Sequence, residues 1–85
     1  MILFRLPRDK RLPQLIDAIG RIEYVAGVVT NEPQRLLIVT LSNQRMVRVT
    51  LYRIRQSFDQ IGMRQTKLLG ITESDEAGIM DQSDD

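Results

Sequence analysis

Neither cysteine nor histidine occurs in the chain, and in a body this small that pair of absences decides how it can be held together. A chain of 85 residues often supplements a thin core with disulfides or a structural metal. With thiolate and imidazole ligands both missing, packing of apolar faces is left to do this alone. The same absences bear on chemistry. They leave no soft-metal site, no cysteine nucleophile and no imidazole base. The acids before residue 72 are scattered as Asp9, Asp17, Glu23, Glu32 and Asp59. Neither an enzyme nor a resident cofactor is expected.

If packing alone holds the chain, apolar spacing should reveal the fold. Ile2, Phe4 and Leu6 recur at period two, the mark of a short strand with one buried face. Pro13 suits a first helical turn, and Leu15, Ala18, Ile19, Ile22 and Val25 continue as one stripe, which predicts a helix over about residues 12–24. Gly27 is read as the left-handed residue that ends that helix, and Asn31, Glu32, Pro33 and Gln34 as a turn. Residues 36–41 are the strongest strand, with Leu37, Val39 and Leu41 on one face and Leu36, Ile38 and Thr40 on the other. Ser42 and Asn43 are helix-capping types.

Residues 44–54 admit two readings, because the stretch from Met46 to Tyr52 also alternates like a strand. Helix is preferred: Val47, Leu51, Ile54, Phe58 and Ile61 keep a four-three spacing for longer than an ordinary strand lasts, and Gly62 closes the run. Residues 64–71 then form a weak edge strand whose Arg64 and Lys67 discourage edge pairing. The resulting order, strand, helix, strand, strand, helix, strand, predicts an α+β ferredoxin-like βαββαβ sandwich over residues 1–71. In it, two helices cover one face of a four-stranded antiparallel sheet.

Charge divides the chain differently. Twelve basic residues stand against five acidic ones in residues 1–71, a net of +7, and six acids follow in residues 72–85 with no base among them. That last segment is expected to be a disordered acidic tail. It serves either solubility or competition with an anionic partner for the basic body. No apolar run approaches the roughly 20 residues of a membrane-spanning helix, and a charge arrives at Arg5, so a cytoplasmic location is expected.

Several details narrow the fold. They are the stripe Leu15, Ala18, Ile22, Val25, the turn Ala26-Gly27-Val28, the strand Leu37-Ile38-Val39-Thr40 and the helix from Leu51 to Gly62 followed by Met63. Together they resemble the heavy-metal-associated domain of copper chaperones and metal-transporting ATPases. The resemblance covers about residues 1–71. That family holds its metal with a Cys-x-x-Cys loop before the first helix, whose two positions fall near Arg11 and Gln14 here. Arg-Leu-Pro-Gln cannot bind a soft metal, so the resemblance implies a metal-site-less relative. The stretch Gly20-Arg21-Ile22-Glu23-Tyr24-Val25 is also similar to the regulatory module attached to methionine-importer ATPases.

What remains for function is surface. Arg45, Arg48, Tyr52, Arg55 and Asp59 share one face of the second helix. They suit either phosphate contacts with aromatic stacking or an ordinary solvated exterior in which Arg55 and Asp59 pair. Arg8, Lys10 and Arg11, ahead of the first helix, can hold an anion or simply face water. Leu3, Leu36 and Ile38 fall on the sheet face that no helix covers, a surface suited to a second copy or another protein. A non-catalytic interaction or regulatory module using the open sheet face or the Arg-rich helix is the leading expectation. A nucleic-acid-binding accessory protein is the alternative.

Overall fold

Alternation at the start of the chain does bury one face. In a computed structural model that describes residues 1–72, β1 (Ile2–Arg5) turns Ile2 and Phe4 fully inward, and Leu6 follows them. Residues 73–85, and with them the expected acidic tail, lie outside the described residues. α1 (Leu12–Gly20) carries Pro13 in its first turn and buries Leu15 and Ile19. β2 (Val25–Asn31) and β3 (Leu36–Leu41) form a hairpin. A 3₁₀ turn, Gln44–Met46, leads into α2 (Val47–Ile61), and β4 (Leu68–Ile71) closes the order.

The strands lie in the order β2-β3-β1-β4, and every neighbouring pair is antiparallel. This is the ferredoxin-like arrangement. Ile2, Phe4, Leu37, Val39 and Leu41 from the sheet meet Leu15, Ile19, Ile54 and Phe58 from the helices in one core, so both helices cover the same sheet face. The rings of Phe4 and Phe58 meet edge to face, 4.8 Å between centroids at 83°, a geometry that adds to their buried area. Met1 and Thr72 exchange backbone hydrogen bonds, 2.6 and 2.8 Å, continuing the β1–β4 pairing.

The first helix is shorter than the expected 12–24. Arg21 and Ile22 donate to the carbonyls of Ala18 and Ile19, an i to i−3 pattern that tightens the last turn. The chain then reverses at Tyr24, which has a left-handed φ of 75°. Ile22 and Val25 still pack on the core, but from the turn and from β2. Gly27 therefore does not end a helix. It lies inside β2, beside a register shift between Val25 and Gly27. Helix is the right reading for the ambiguous residues 44–54, with Asn43 capping the 3₁₀ lead by accepting from the Arg45 amide at 3.0 Å. The seam of α2 includes one residue that an apolar count passes over. Thr50 is fully buried, its hydroxyl donating to the Met46 carbonyl at 2.7 Å, so burial does not leave that hydroxyl unsatisfied.

Candidate functional site

At one end of the sheet three connections converge: the β1–α1 loop, the β2–β3 turn and the α2–β4 loop. Register explains why. The end of β1 pairs with the start of β3, Arg5 opposite Leu36, and with the start of β4, Phe4 opposite Leu68. The two amides that finish this edge reach in opposite directions. Arg5 donates to the carbonyl of Lys67, and Leu6 donates to that of Arg35, both at 2.9 Å. Three basic residues far apart in sequence are thereby set at one level of the sheet.

Around them is a depression of about 340 Å³ lined in part by Arg5, Arg8, Asp9, Arg11, Arg35 and Lys67. The one acid among its described lining residues is already committed. The Asp9 carboxylate accepts from the Arg11 backbone amide at 2.8 Å and from the guanidinium at 2.9 and 2.7 Å. The same guanidinium donates to the Ile61 carbonyl at 2.7 Å, at the end of α2 where the helix dipole favours a cation. Arg11 thus ties the start of α1 to the end of α2. It is a structural clasp, although its side chain remains 42% exposed. Among the described residues, Arg5, Arg8, Arg35 and Lys67 make no ion pair. A neighbouring depression of about 290 Å³ shares Arg8 and Arg35 and includes Glu32.

Arg11 holds the Asp9 carboxyl well below the usual carboxylate range, first through the side-chain hydrogen bond and then through its backbone amide. A lowered native pKa stabilises the fold above the unfolded value, near 4, and that contribution is lost as the pH falls through and below it. The Asp9→Asn variant is expected to be less stable than wild type at pH 7, the gap narrowing as the pH drops below about 4. Urea midpoints for both proteins across that range test this. A gap independent of pH would remove the charged clasp.

Of the other residues singled out by sequence, Lys10 is exposed and does not line the depression, while Gln14 is exposed in the first turn of α1. Arg48, Tyr52, Arg55 and Asp59 do share one face of α2, within an arc of roughly 60°, and all are exposed. Arg45 sits just ahead, in the 3₁₀ turn. The expected Arg55–Asp59 pair is not formed. Asp59 pairs instead with Arg64 at 3.3 Å, because the chain turns back past Gly62 and brings Arg64 alongside the last turn. Tyr52 accepts from Gln56 Nε2 at 3.3 Å.

Leu3, Leu36 and Ile38 are half-buried on the uncovered sheet face, where cross-strand pairing aligns them. Gly70, Leu3, Ile38 and Val29 form one row across all four strands, and Val29 is 55% exposed. Arg5, Leu36 and Asn31 form the next row. The four strands contain no acidic residue. This face and the arginine face of α2 lie on opposite sides of the two-layer sandwich, so one flat partner cannot cover both.

Arg5, Arg35 and Lys67 were not picked out by sequence as site residues. Their spacing has no motif, and only the strand register brings them together. Among the described residues, no group of three acids is placed to hold a metal ion, and no helix is long and apolar enough to cross a membrane. Set against protein-family models, curated proteins and solved structures, the chain has no match.

Proposed function

We propose that this chain is a non-catalytic protein-interaction module of the cytoplasm. In this reading it is a relative of the heavy-metal-associated fold without that family's metal loop, and it docks a protein on its open sheet face. The carrying observation is the row Leu3, Ile38 and Val29, apolar side chains aligned across neighbouring strands with no helix over them. Apolar surface gathered in this way is stabilised by a cover. Charge selects the kind of cover. The strands hold no acid, Arg5 borders the row, and residues 1–71 carry a net +7. The matching partner is a protein that presents an apolar patch rimmed by Asp and Glu, with the acidic rim guiding approach and the patch providing burial.

The Ile38→Lys variant is expected to fold normally, since the side chain meets no helix, and to lose the partner. Tagged wild type and variant are compared by capture from nuclease-treated extract, with sedimentation of the purified chain alongside. An acidic protein retained by wild type and depleted at least about tenfold by Ile38→Lys supports the reading, the expected scale for losing one central apolar anchor. Equal retention by both proteins removes it. Dimerisation that Ile38→Lys abolishes assigns the face to a second copy instead.

The nucleic-acid reading has one observation in its favour. Among the described residues, Arg45, Arg48 and Arg55 make no ion pair, and Tyr52, on the same side, is 63% exposed. Phosphate contacts there weaken steeply with added salt, whereas sheet docking does not. Capture that disappears on nuclease treatment, and on replacing the three arginines, selects this second reading.

A further inference from the structure

The basic depression has no part in sheet-face docking beyond sharing Arg5 with its margin. We propose that it is a binding site for a small phosphomonoester. Four cations that make no ion pair among the described residues are brought there from four segments: Arg5 from β1, Arg8 from the β1–α1 loop, Arg35 from the β2–β3 turn and Lys67 from the α2–β4 loop. Like charges gathered in a concave surface repel one another and are relieved by an anion of matching charge. Among the described residues the one acid lining the depression does not relieve them, because Asp9 is taken by Arg11.

The backbone supplies an independent sign that a side chain is wanted here. Arg35 sits at a left-handed φ of 57°, a conformation that glycine adopts without penalty and arginine does not. Hydrogen bonds hold it on both sides: its amide donates to Glu32 at 3.1 Å and its carbonyl accepts from Leu6 at 2.9 Å. A long cationic side chain is kept where a turn alone favours glycine. Strain retained at a charged concavity points to function.

Shape and charge choose the ligand class. A carboxylate is a monoanion that one guanidinium can satisfy. A phosphate monoester is close to a dianion at neutral pH, with three oxygens that several forked donors meet together. The volume, about 340 Å³, is at the small end of ligand pockets, which run from about 300 to 1,000 Å³. It leaves room for a modest organic group beyond the phosphate. Glu32, on the far side of Arg8 and Arg35, disfavours extension of negative charge in that direction.

Amide-resolved NMR titration tests the proposal with inorganic phosphate and glycerol 3-phosphate as probes, against sodium chloride at matched ionic strength. Saturable shifts at Arg5, Leu6, Arg8, Arg35 and Lys67 that chloride does not reproduce are expected. Both probes should give them, and tighter binding of glycerol 3-phosphate over inorganic phosphate identifies the ester as the source. Arg35→Gly is the decisive variant, because it relieves the backbone while removing the cation. Its denaturation midpoint should hold or rise while phosphate affinity falls about tenfold or more, as expected for one charged contact. Lys67→Ala should weaken binding in the same direction. No saturable shift in wild type, shifts spread over Arg45, Arg48 and Arg55, or unchanged affinity in Arg35→Gly would each overturn the site.

Discussion

Phe58→Ala is expected to lower stability by about 3–5 kcal/mol, the range for truncating a fully buried phenylalanine. The fraction is what makes this the largest effect in the molecule. A domain of this size has about 4–10 kcal/mol in all, and the chain has no disulfide to limit the entropy of its unfolded state. Phe58 is 1% exposed at the centre of the one core, where its ring meets that of Phe4. Its loss opens a cavity between α2 and β1 and forfeits the edge-to-face contact, worth about 0.5–1.5 kcal/mol beyond burial. Urea denaturation at neutral pH should show the midpoint falling by roughly half or more. Phe58→Leu, which keeps much of the volume, should cost only about 1–2 kcal/mol. Combined with Phe4→Leu, it reports the ring–ring share as a coupling energy. A loss below about 1 kcal/mol for Phe58→Ala would mean that α2 does not pack on β1 as described.

That core was largely legible in the sequence, because the patterns that bury it are local. Ile2, Phe4 and Leu6 alternate, and so do Leu37, Val39 and Leu41. Ile54 and Phe58 repeat at helical spacing. Each stripe can be read without knowing what lies opposite. Thr50 escaped such a reading because its polarity is cancelled by a carbonyl four residues earlier, a contact that exists only once the helix forms. The end of α1 escaped for another reason. Ile22 and Val25 do face the core, so the stripe continues after the helix has stopped at Gly20. The left-handed position belongs to Tyr24, which carries none of glycine's signal.

The open face was equally readable, since strand alternation assigns Leu3, Leu36 and Ile38 to the side away from Leu37 and Phe4. The basic depression was not. Arg5, Arg35 and Lys67 are separated by about thirty residues at each step and meet only through the register of β1 with its two neighbours. Sequence had pointed instead to Arg8, Lys10 and Arg11, grouped by proximity in the chain. Folding keeps Arg8 at the depression and diverts the Arg11 guanidinium to Asp9 and the end of α2.

That diversion gives Gly62 a second constraint, and Gly62→Ala should cost more than an ordinary cap change. Gly62 has a φ of 87° and follows the last residue of α2. Its amide donates to the Asp59 carbonyl at 3.1 Å, and that of Met63 donates to Phe58 at 2.7 Å, with the Met63 side chain buried beyond. This is the glycine-ended cap in which the left-handed residue closes the helix. An alanine there loses about 1–2 kcal/mol to the backbone alone. The added Cβ also falls 2.8 Å from Nη1 of Arg11, too close to be accommodated in place. A free guanidinium swings away at little cost, but this one is held by Asp9 and by the Ile61 carbonyl. Relief requires breaking the clasp. The two penalties separate in the Arg11→Ala background, where the steric part vanishes and the backbone part stays. Gly62→Ala is therefore expected to destabilise the Arg11→Ala protein less than it does wild type, by urea midpoint in a double-mutant cycle. Equal costs in both backgrounds would show that Arg11 does not rest against the cap.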